Sequence, residues 1–173
     1  ADLVVLPESV FPVQIEYLPE DALQAILRPT RDRGAALVFG IFIEQPPGAY
    51  YNSAVGLVPS GNPPLQRYSK RHLVPFGEFI PLRGKFPPFE WLTGGIIGQD
   101  FTPGDTHEPL VVEKDGREIG IIPLICFEDT VPRHVREFLR KGPQVIVNVT
   151  NDGWFHGSAQ PQQHFDNALF RCI

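Results

Sequence analysis

The chain has 173 residues, a formal net charge of −5 and a hydrophobic content of 42%. This length and composition are typical of a globular domain that can bury a hydrophobic core. The negative charge and the lack of a basic stripe argue against a nucleic-acid partner. The longest apolar runs, at 35–43 and 119–127, fall well short of the ~20 residues that a membrane-spanning helix needs.

Elements of strand and helix alternate along the chain. The predicted elements, in chain order, are a strand at 3–6, a helix at 19–33 that Pro29 should end or kink and Gly34 closes, strands at 36–43, 52–58 and 65–69, a hairpin of 110–113 and 118–125, a helix at 131–141, a strand at 145–149 and a helix from Ser158. Residues 75–109 form a long loop rich in Pro, Gly and Phe, and loops of this length are usually functional. The order predicts an α/β fold in which helices cover a mixed sheet.

The cysteines and histidines give no sign of a metal site. Two cysteines, Cys126 and Cys172, are too few for a disulfide framework, and the five histidines are scattered without zinc-ligand spacing. We therefore expect neither a metal nor another cofactor. Cys172 fits the apolar stripe of the last helix and is predicted to be a core residue. Because the chain starts at Ala1 beside a strand and ends inside a helix, we expect it to be a piece of a longer protein.

Cys126 follows a buried strand and precedes a helix. Such a strand-to-helix elbow presents a side chain at the edge of a sheet, where neighbouring N–H groups can hold an oxyanion. A free thiol is only a few per cent ionised at neutral pH, so a nucleophilic Cys126 would need a base or a cation beside it. The alternative is a buried and inert cysteine; the elbow and the adjacent Glu128 and Asp129 favour a functional one.

Glu8 and Lys70 also follow predicted strands. A carboxylate at the rim of an α/β sheet could take the thiol proton, particularly if burial raised its pKa. An ammonium fixed near a carbonyl would stabilise a tetrahedral oxyanion, and Glu78, eight residues after Lys70, could hold it charged and oriented. A solvated loop glutamate is the alternative for Glu8. A surface lysine is the alternative for Lys70, and the unusual segment 75–78 argues against it.

Trp154 and Phe155 lie in another loop that follows a strand. They could line a pocket for an apolar group, or they could simply pack in the core, as aromatic side chains often do.

Glu8, Lys70 and Cys126, in this chain order, resemble the Glu-Lys-Cys triad of the nitrilase (carbon–nitrogen hydrolase) superfamily. Within it, the flanking segments look like those of the apolipoprotein N-acyltransferase family. The matching stretches are Pro7-Glu8-Ser9, Tyr51-Asn52-Ser53, Lys70 to Pro81, Ile125 to Glu128, Asn151 to Phe155 and Gln163-His164-Phe165. Two positions depart from the family pattern: Leu6 replaces a tryptophan, and Phe127 replaces a tyrosine.

The resemblance implies a nitrilase-type αββα sandwich, with residues 1–173 forming one catalytic domain that is incomplete at both ends in this chain. It implies that Glu8 is the general base, Lys70 the oxyanion stabiliser and Cys126 the nucleophile. The remaining implied site residues are Glu78 and Glu128 in support and Asn52, Phe127, Trp154 and Phe155 at the substrate.

The resemblance further implies an N-acyltransferase. A fatty acyl chain would pass from a phospholipid to Cys126 as a thioester, and then to the diacylglyceryl-cysteine amine of an apolipoprotein. The parent protein would lie in the bacterial inner membrane with this domain on the periplasmic face, touching lipid through the 75–109 loop and the Trp154 loop. Two alternatives remain: a soluble amidohydrolase that uses the same triad on a small amide or nitrile, and a non-catalytic domain.

Overall fold

The computed structural model of the chain describes residues 1–10, 14, 17–59, 64–92, 98–114, 116–155 and 157–172. Within these ranges the elements are β1 (Leu3–Val5), α1 (Glu20–Arg33), β2 (Ala36–Glu44), β3 (Tyr50–Leu57), β4 (Leu65–Ser69), α2 (Pro87–Leu92), β5 (Leu110–Lys114), β6 (Arg117–Ile125), α3 (Pro132–Glu137), β7 (Gln144–Val149) and α4 (Gln160–Leu169). Two 3₁₀ segments complete them, the Cys126 turn (Cys126–Thr130) and the Asp152 turn (Asp152–Phe155). None of the described helices is long and apolar enough to cross a membrane.

The strands form two sheets. The first has the order β1-β2-β3-β4, with β1 and β2 parallel and the other pairs antiparallel. The second has the order β5-β6-β7, in which β5 and β6 form the predicted antiparallel hairpin and β7 runs parallel to β6. Asp115, in the predicted hairpin turn, lies outside the described residues. The α/β prediction is confirmed, and the two sheets agree with the αββα sandwich that the resemblance implied, not with a single mixed sheet.

Buried apolar side chains lie on both faces of the first sheet. Val38, Ala54 and Tyr68 of this sheet pack in one cluster with Ile121 and Leu124 of the second sheet. On the opposite face, the neighbours of Val38 in β2 pack in a second cluster, which includes Ile26 of α1. Because successive side chains of a strand point to opposite faces, burial on both sides explains why the whole 36–43 run is apolar. The layers are therefore α1, the first sheet and the second sheet.

The helices after β6 differ from their predicted bounds. The predicted helix at 131–141 is too long, since α3 spans only Pro132–Glu137 and the Cys126 turn precedes it. Proline at the first position of α3 suits a helix start, where its missing N–H costs nothing.

Near the start of the chain, α1 runs past Pro29 to Arg33, and Gly34 ends it at a φ of 64°. The prediction that Gly34 closes α1 is confirmed.

Helix α4 buries a different face from the predicted one. Cys172 is exposed, and Phe165 and Leu169 are 59% and 51% exposed, so the prediction of a core cysteine is wrong. The buried side chain of α4 is His164. Its partners are carboxylates of the Cys126 turn and the Asp152 turn, so the face of the helix that packs inward carries this charge pairing.

Candidate active site

Three chain segments that follow strands bring Glu8, Lys70 and Cys126 into one site. Glu8 comes after β1, Lys70 directly after β4 and Cys126 directly after β6. Glu8 and Lys70 are only 8% and 1% exposed, and Cys126 is half-buried. The charges of Glu8 and Lys70 shift the pKa of each other and of the Cys126 thiol, and Cys126 in turn shifts the pKa of Lys70, as nearby charges do. The structure thus assembles the three residues that the sequence singled out.

Glu8 is fixed by two donors. The side-chain amide of Asn52 donates to Oε1 at 2.7 Å, and the backbone N–H of Asn151 donates to Oε2 at 3.2 Å. Burial raises the pKa of Glu8, and the charge of Lys70 opposes this only in part. A buried carboxylate with a raised pKa is suited to taking a proton from a neighbour.

Two glycines let the backbone under the site come close. A Cβ on Gly40 of β2 would lie 2.5 Å from the Cα of Glu8, and Gly40 N–H donates to the carbonyl of Pro7 at 3.1 Å. A Cβ on Gly104 would collide with the carbonyl of Ser69, which immediately precedes Lys70. Any larger residue at either position would displace a site residue, because a backbone neighbour has little room to yield.

Lys70 forms a buried ion pair with Glu78. Lys70 Nζ lies 2.9 Å from Glu78 Oε1, and Glu78 Oε2 accepts the N–H of Val74 at 2.8 Å. Burial alone lowers the pKa of Lys70, but the charges of Glu78 and Glu8 outweigh this and leave it raised. Asn52 also donates to Glu78 Oε1 at 3.0 Å, so one amide group bridges the two carboxylates of the site. Lys70 is therefore a cation throughout the neutral range.

Cys126 has a strained backbone and a protonated thiol. Its φ is 52°, in the left-handed region that non-glycine residues rarely occupy. Burial, followed by the charge of Glu8, raises the pKa of the thiol to about 11, while Lys70 lowers it. The hydroxyl of Thr150 and the backbone N–H of Phe127 also face the thiol and favour its ionised form. The thiol therefore needs a base to become a nucleophile at neutral pH.

Glu128 ties the segment around Lys70 to the Cys126 turn. This fully buried carboxylate accepts the hydroxyl of Tyr68 at 2.7 Å and the backbone N–H groups of Arg71, His72 and Ile125 at 2.7, 3.1 and 3.0 Å. Burial raises its pKa, but these donors and His134 outweigh that and leave it lowered. Glu128 thus stays ionised and joins residues on either side of Lys70 to the strand end before Cys126.

The residues that the resemblance placed at the substrate differ in how exposed they are and in how much of them the structure describes. Phe127 is 46% exposed beside Cys126. Trp154 and Phe155 belong to the Asp152 turn, but their side chains lie outside the described part of the molecule. Asn52, expected at the substrate, is 2% exposed, and its side-chain amide donates to two carboxylates of the site. Sequence reasoning missed Thr150, whose position at the end of β7 was the available signal.

One group among the described residues has the composition of a metal site. Ligand atoms of His107, His134 and Glu137 lie within 4.8 Å of one another. Nη1 of Arg71 contacts His107 and lies 3.8 Å from Glu137. A guanidinium ion already supplies positive charge at this group, which argues against a metal cation there.

Comparison with known proteins fits this geometry. Residues 1–166 match the carbon-nitrogen hydrolase family. The chain belongs to this family. Among solved structures, it is similar to a carbon-nitrogen hydrolase from Helicobacter pylori, with a TM-score of 0.60 and 19% identity over 99% of this chain and 57% of that one. It is also similar to an amidase from Nesterenkonia sp., with a TM-score of 0.58 and 24% identity over 100% of this chain and 60% of that one. These similarities establish a nitrilase-type fold.

Relatives in sequence carry a more specific name. The chain is 38% identical to an apolipoprotein N-acyltransferase of Geobacter metallireducens and 30% identical to one of Photobacterium profundum. Each alignment covers 100% of this chain but 32% and 34% of the respective relative. This carbon-nitrogen hydrolase chain therefore spans about a third of the length of these curated relatives.

Proposed function

We propose that this chain is the catalytic domain of an apolipoprotein N-acyltransferase that works through a thioester on Cys126. The observation that carries the proposal is the placement of a protonated thiol, a buried base and a buried cation in one site. The names of the relatives support the choice of reaction. The parent protein would lie in the bacterial inner membrane with this domain on the periplasmic face.

In the first step, Glu8 takes the proton of the Cys126 thiol. The thiolate then attacks an ester carbonyl of a phospholipid, and Lys70 and the N–H of Phe127 stabilise the oxyanion. Collapse of the tetrahedral intermediate forms the thioester and breaks the C–O bond, and the lysophospholipid leaves with the proton from Glu8. Because the thiol pKa of about 11 lies far above neutrality, this step depends on a base that is already in place.

In the second step, the amine of a diacylglyceryl-cysteine attacks the thioester carbonyl. Glu8 accepts the amine proton, a C–N bond forms and the C–S bond breaks, and Glu8 returns the proton to Cys126. Asn52 and Glu78 do not meet the substrate in this scheme. They position Glu8 and Lys70, since the amide of Asn52 donates to both carboxylates.

An exposed aromatic patch supports a lipid donor. Phe89 packs against Phe76 and Phe86 with ring centroids 5.3 and 4.7 Å apart, and Phe76 and Phe86 are themselves 40% and 44% exposed. Trp91, two residues further, is 84% exposed. Contiguous exposed apolar surface marks contact with a partner or a membrane. The patch joins Phe76, two residues before Glu78, to helix α2, so a lipid held at the Phe76 end would be close to the site.

Each of the two alternative functions leaves one of these structural features unexplained. An amidohydrolase would use the same site, and the Nesterenkonia amidase has the same fold, but a small amide would not need the aromatic patch. A non-catalytic domain would have no use for Glu8 and Lys70 as buried charges, which cost free energy to remove from water.

Intact-mass measurement tests the proposal. The protein expressed from its complete gene is incubated with phospholipid and no acceptor, with Cys126→Ala as the control. We expect a mass increase of one fatty acyl group that is absent in the control and lost on hydroxylamine treatment. No adduct, together with turnover of small amides, would instead establish the amidohydrolase.

A further inference from the structure

The imidazole of His164 lies between two carboxylates from different segments. Nδ1 is 2.9 Å from Oδ1 of Asp152, and Nε2 is 3.3 Å from Oδ1 of Asp129. The Nδ1 contact is a hydrogen bond, whereas the Nε2 contact is an ion pair that is not aligned as one. A neutral imidazole has a single N–H and could serve only one of these carboxylates. Because both ring nitrogens face a carboxylate, the doubly protonated imidazolium is the form that fits this position.

Asp129 needs this cation. Its carboxylate is fully buried, and neither oxygen has a well-aligned hydrogen bond within the described residues. The contact with His164 is the single ion pair that those residues give it. An ionised carboxylate that is buried without a counter-charge is strongly unfavourable. His164 is therefore the counter-charge that the described residues supply to this buried carboxylate.

The same histidine reaches the backbone of the nucleophile. Its ring faces the carbonyl of Cys126, which also accepts the side-chain amide of Asn148 at 3.2 Å. Asp129 belongs to the turn that begins at Cys126, and Asp152 belongs to the next turn. A left-handed φ at a non-glycine residue persists only where its surroundings hold it, and contacts to the Cys126 carbonyl and to Asp129 act directly on that turn.

We propose that His164 is a positioning residue for the acyl-transfer reaction: as an imidazolium, it joins the Cys126 turn to the Asp152 turn and so fixes the direction of the Cys126 thiol. It touches neither substrate nor the reacting atoms. The inference rests on the proposed function for the identity of the reaction, but not for the role of His164 in orienting the thiol.

The charges around His164 predict an alkaline limit. The groups that face its ring are Asp129 and the backbone carbonyl of Cys126 from the Cys126 turn, and Asp152 from the Asp152 turn. The contact with Asp129, aided by Asp152 and opposed by burial, raises the pKa of His164 to about 9. Thioester formation should therefore slow as the pH rises through about 9, below the range in which Lys70, with its raised pKa, loses its proton.

The first test is His164→Gln in the protein expressed from its complete gene. We expect the rate of thioester formation to fall by about tenfold to hundredfold, the scale that misplacement of a reacting group produces. KM for phospholipid should stay within about twofold, because the binding surface is unchanged. Asp166→Asn is the matched control, since Asp166 is an exposed carboxylate of the same helix. A His164→Gln rate within about twofold of wild type would overturn the proposal.

A second variant covers the case in which His164→Gln does not fold. Asp152→Asn keeps the ion pair with Asp129 and weakens the other contact, so the alkaline limit should move down by about one pH unit, as loss of a nearby charge does. A limit that stays in place, as we expect for Asp166→Asn, would contradict the proposal.

Alkylation of Cys126 by iodoacetamide, followed on its own peptide by mass spectrometry, separates this inference from the proposed function because it needs no lipid. At a pH between the alkaline limits expected for the two proteins, slower alkylation in Asp152→Asn than in wild type supports the positioning role even if no phospholipid reacts. Equal rates in both proteins would reject that role even if the acyl transfer is real.

Discussion

Lys70 and Glu78 form an ion pair in which the ammonium is 1% exposed and lies 2.9 Å from the carboxylate. Only eight residues separate them along the chain, and the intervening segment folds back so that Glu78 also accepts the N–H of Val74. The pair keeps a full positive charge in a buried position, where an isolated ammonium would lose its proton. The cation next to Cys126 therefore depends on Glu78.

Glu78→Gln should slow thioester formation by about two orders of magnitude, because the variant weakens the cation that stabilises the oxyanion. Acylation by phospholipid, followed by intact mass across pH, measures the effect. Glu108→Gln, which changes a carboxylate that is 78% exposed, is the control and should behave like wild type. An unchanged rate and pH profile for Glu78→Gln would remove Glu78 from the site.

Cys126→Ala should abolish acyl transfer, and Cys126→Ser should leave little of it. Serine keeps the geometry, but its hydroxyl is a far weaker acid and nucleophile than the thiol. Transfer of labelled acyl chain to an apolipoprotein acceptor measures both variants, and Cys172→Ser, at an exposed cysteine, serves as the control. Near-normal transfer by either Cys126 variant would show that Cys126 is not the nucleophile.

Glu8→Gln should block acylation without weakening phospholipid binding. Glutamine retains the size of glutamate and one of the two acceptor oxygens that Asn52 and Asn151 use, but it cannot take the thiol proton. A stopped-time assay of thioester formation, paired with a binding measurement on phospholipid vesicles, separates the two effects. Accumulation of thioester at the wild-type rate would show that another group acts as the base.

Glu128→Gln should lower the free energy of unfolding by about 2–4 kcal/mol, because a buried charge that accepts several donors is replaced by a group with N–H bonds of its own. The backbone N–H groups of Arg71 and Ile125 would each face a weaker acceptor. Urea unfolding measures the change. The exposed substitution Glu108→Gln should stay within about 0.5 kcal/mol, and an equal effect of both would contradict the role of Glu128.

The stability of the wild type should decline as the pH rises through about 9. The folded-state pKa of His164 lies above its ordinary value of 6.5, so the folded protein holds this proton more tightly than the unfolded chain. The stabilisation is complete below pH 6.5 and is lost as the pH passes the folded-state value. The free energies of unfolding of wild type and His164→Gln should converge at alkaline pH. A difference between them that stays constant across this range would show that the His164 proton does not contribute to stability.

The local structure around Cys126 was predicted from the sequence. Cys126 was placed at a strand-to-helix elbow, and the structure gives it a φ of 52° directly after β6. The hairpin of β5 and β6 and the buried strand β2 also agree with their predicted positions. These features follow from the order of apolar and turn-forming residues over short stretches, which period and composition report directly.

The contacts that tie distant segments together were decided by the tertiary structure. Asn52 bridges Glu8 and Glu78, which are 44 and 26 residues away, and no local pattern around Asn52 predicts this link. The face of α4 was assigned from its apolar stripe, yet His164 points inward and Cys172 does not. Local periodicity reports where a helix or strand forms, but the charge of Asp129 and Asp152 selects the buried face of α4, and that pairing exists only once the two turns are brought together.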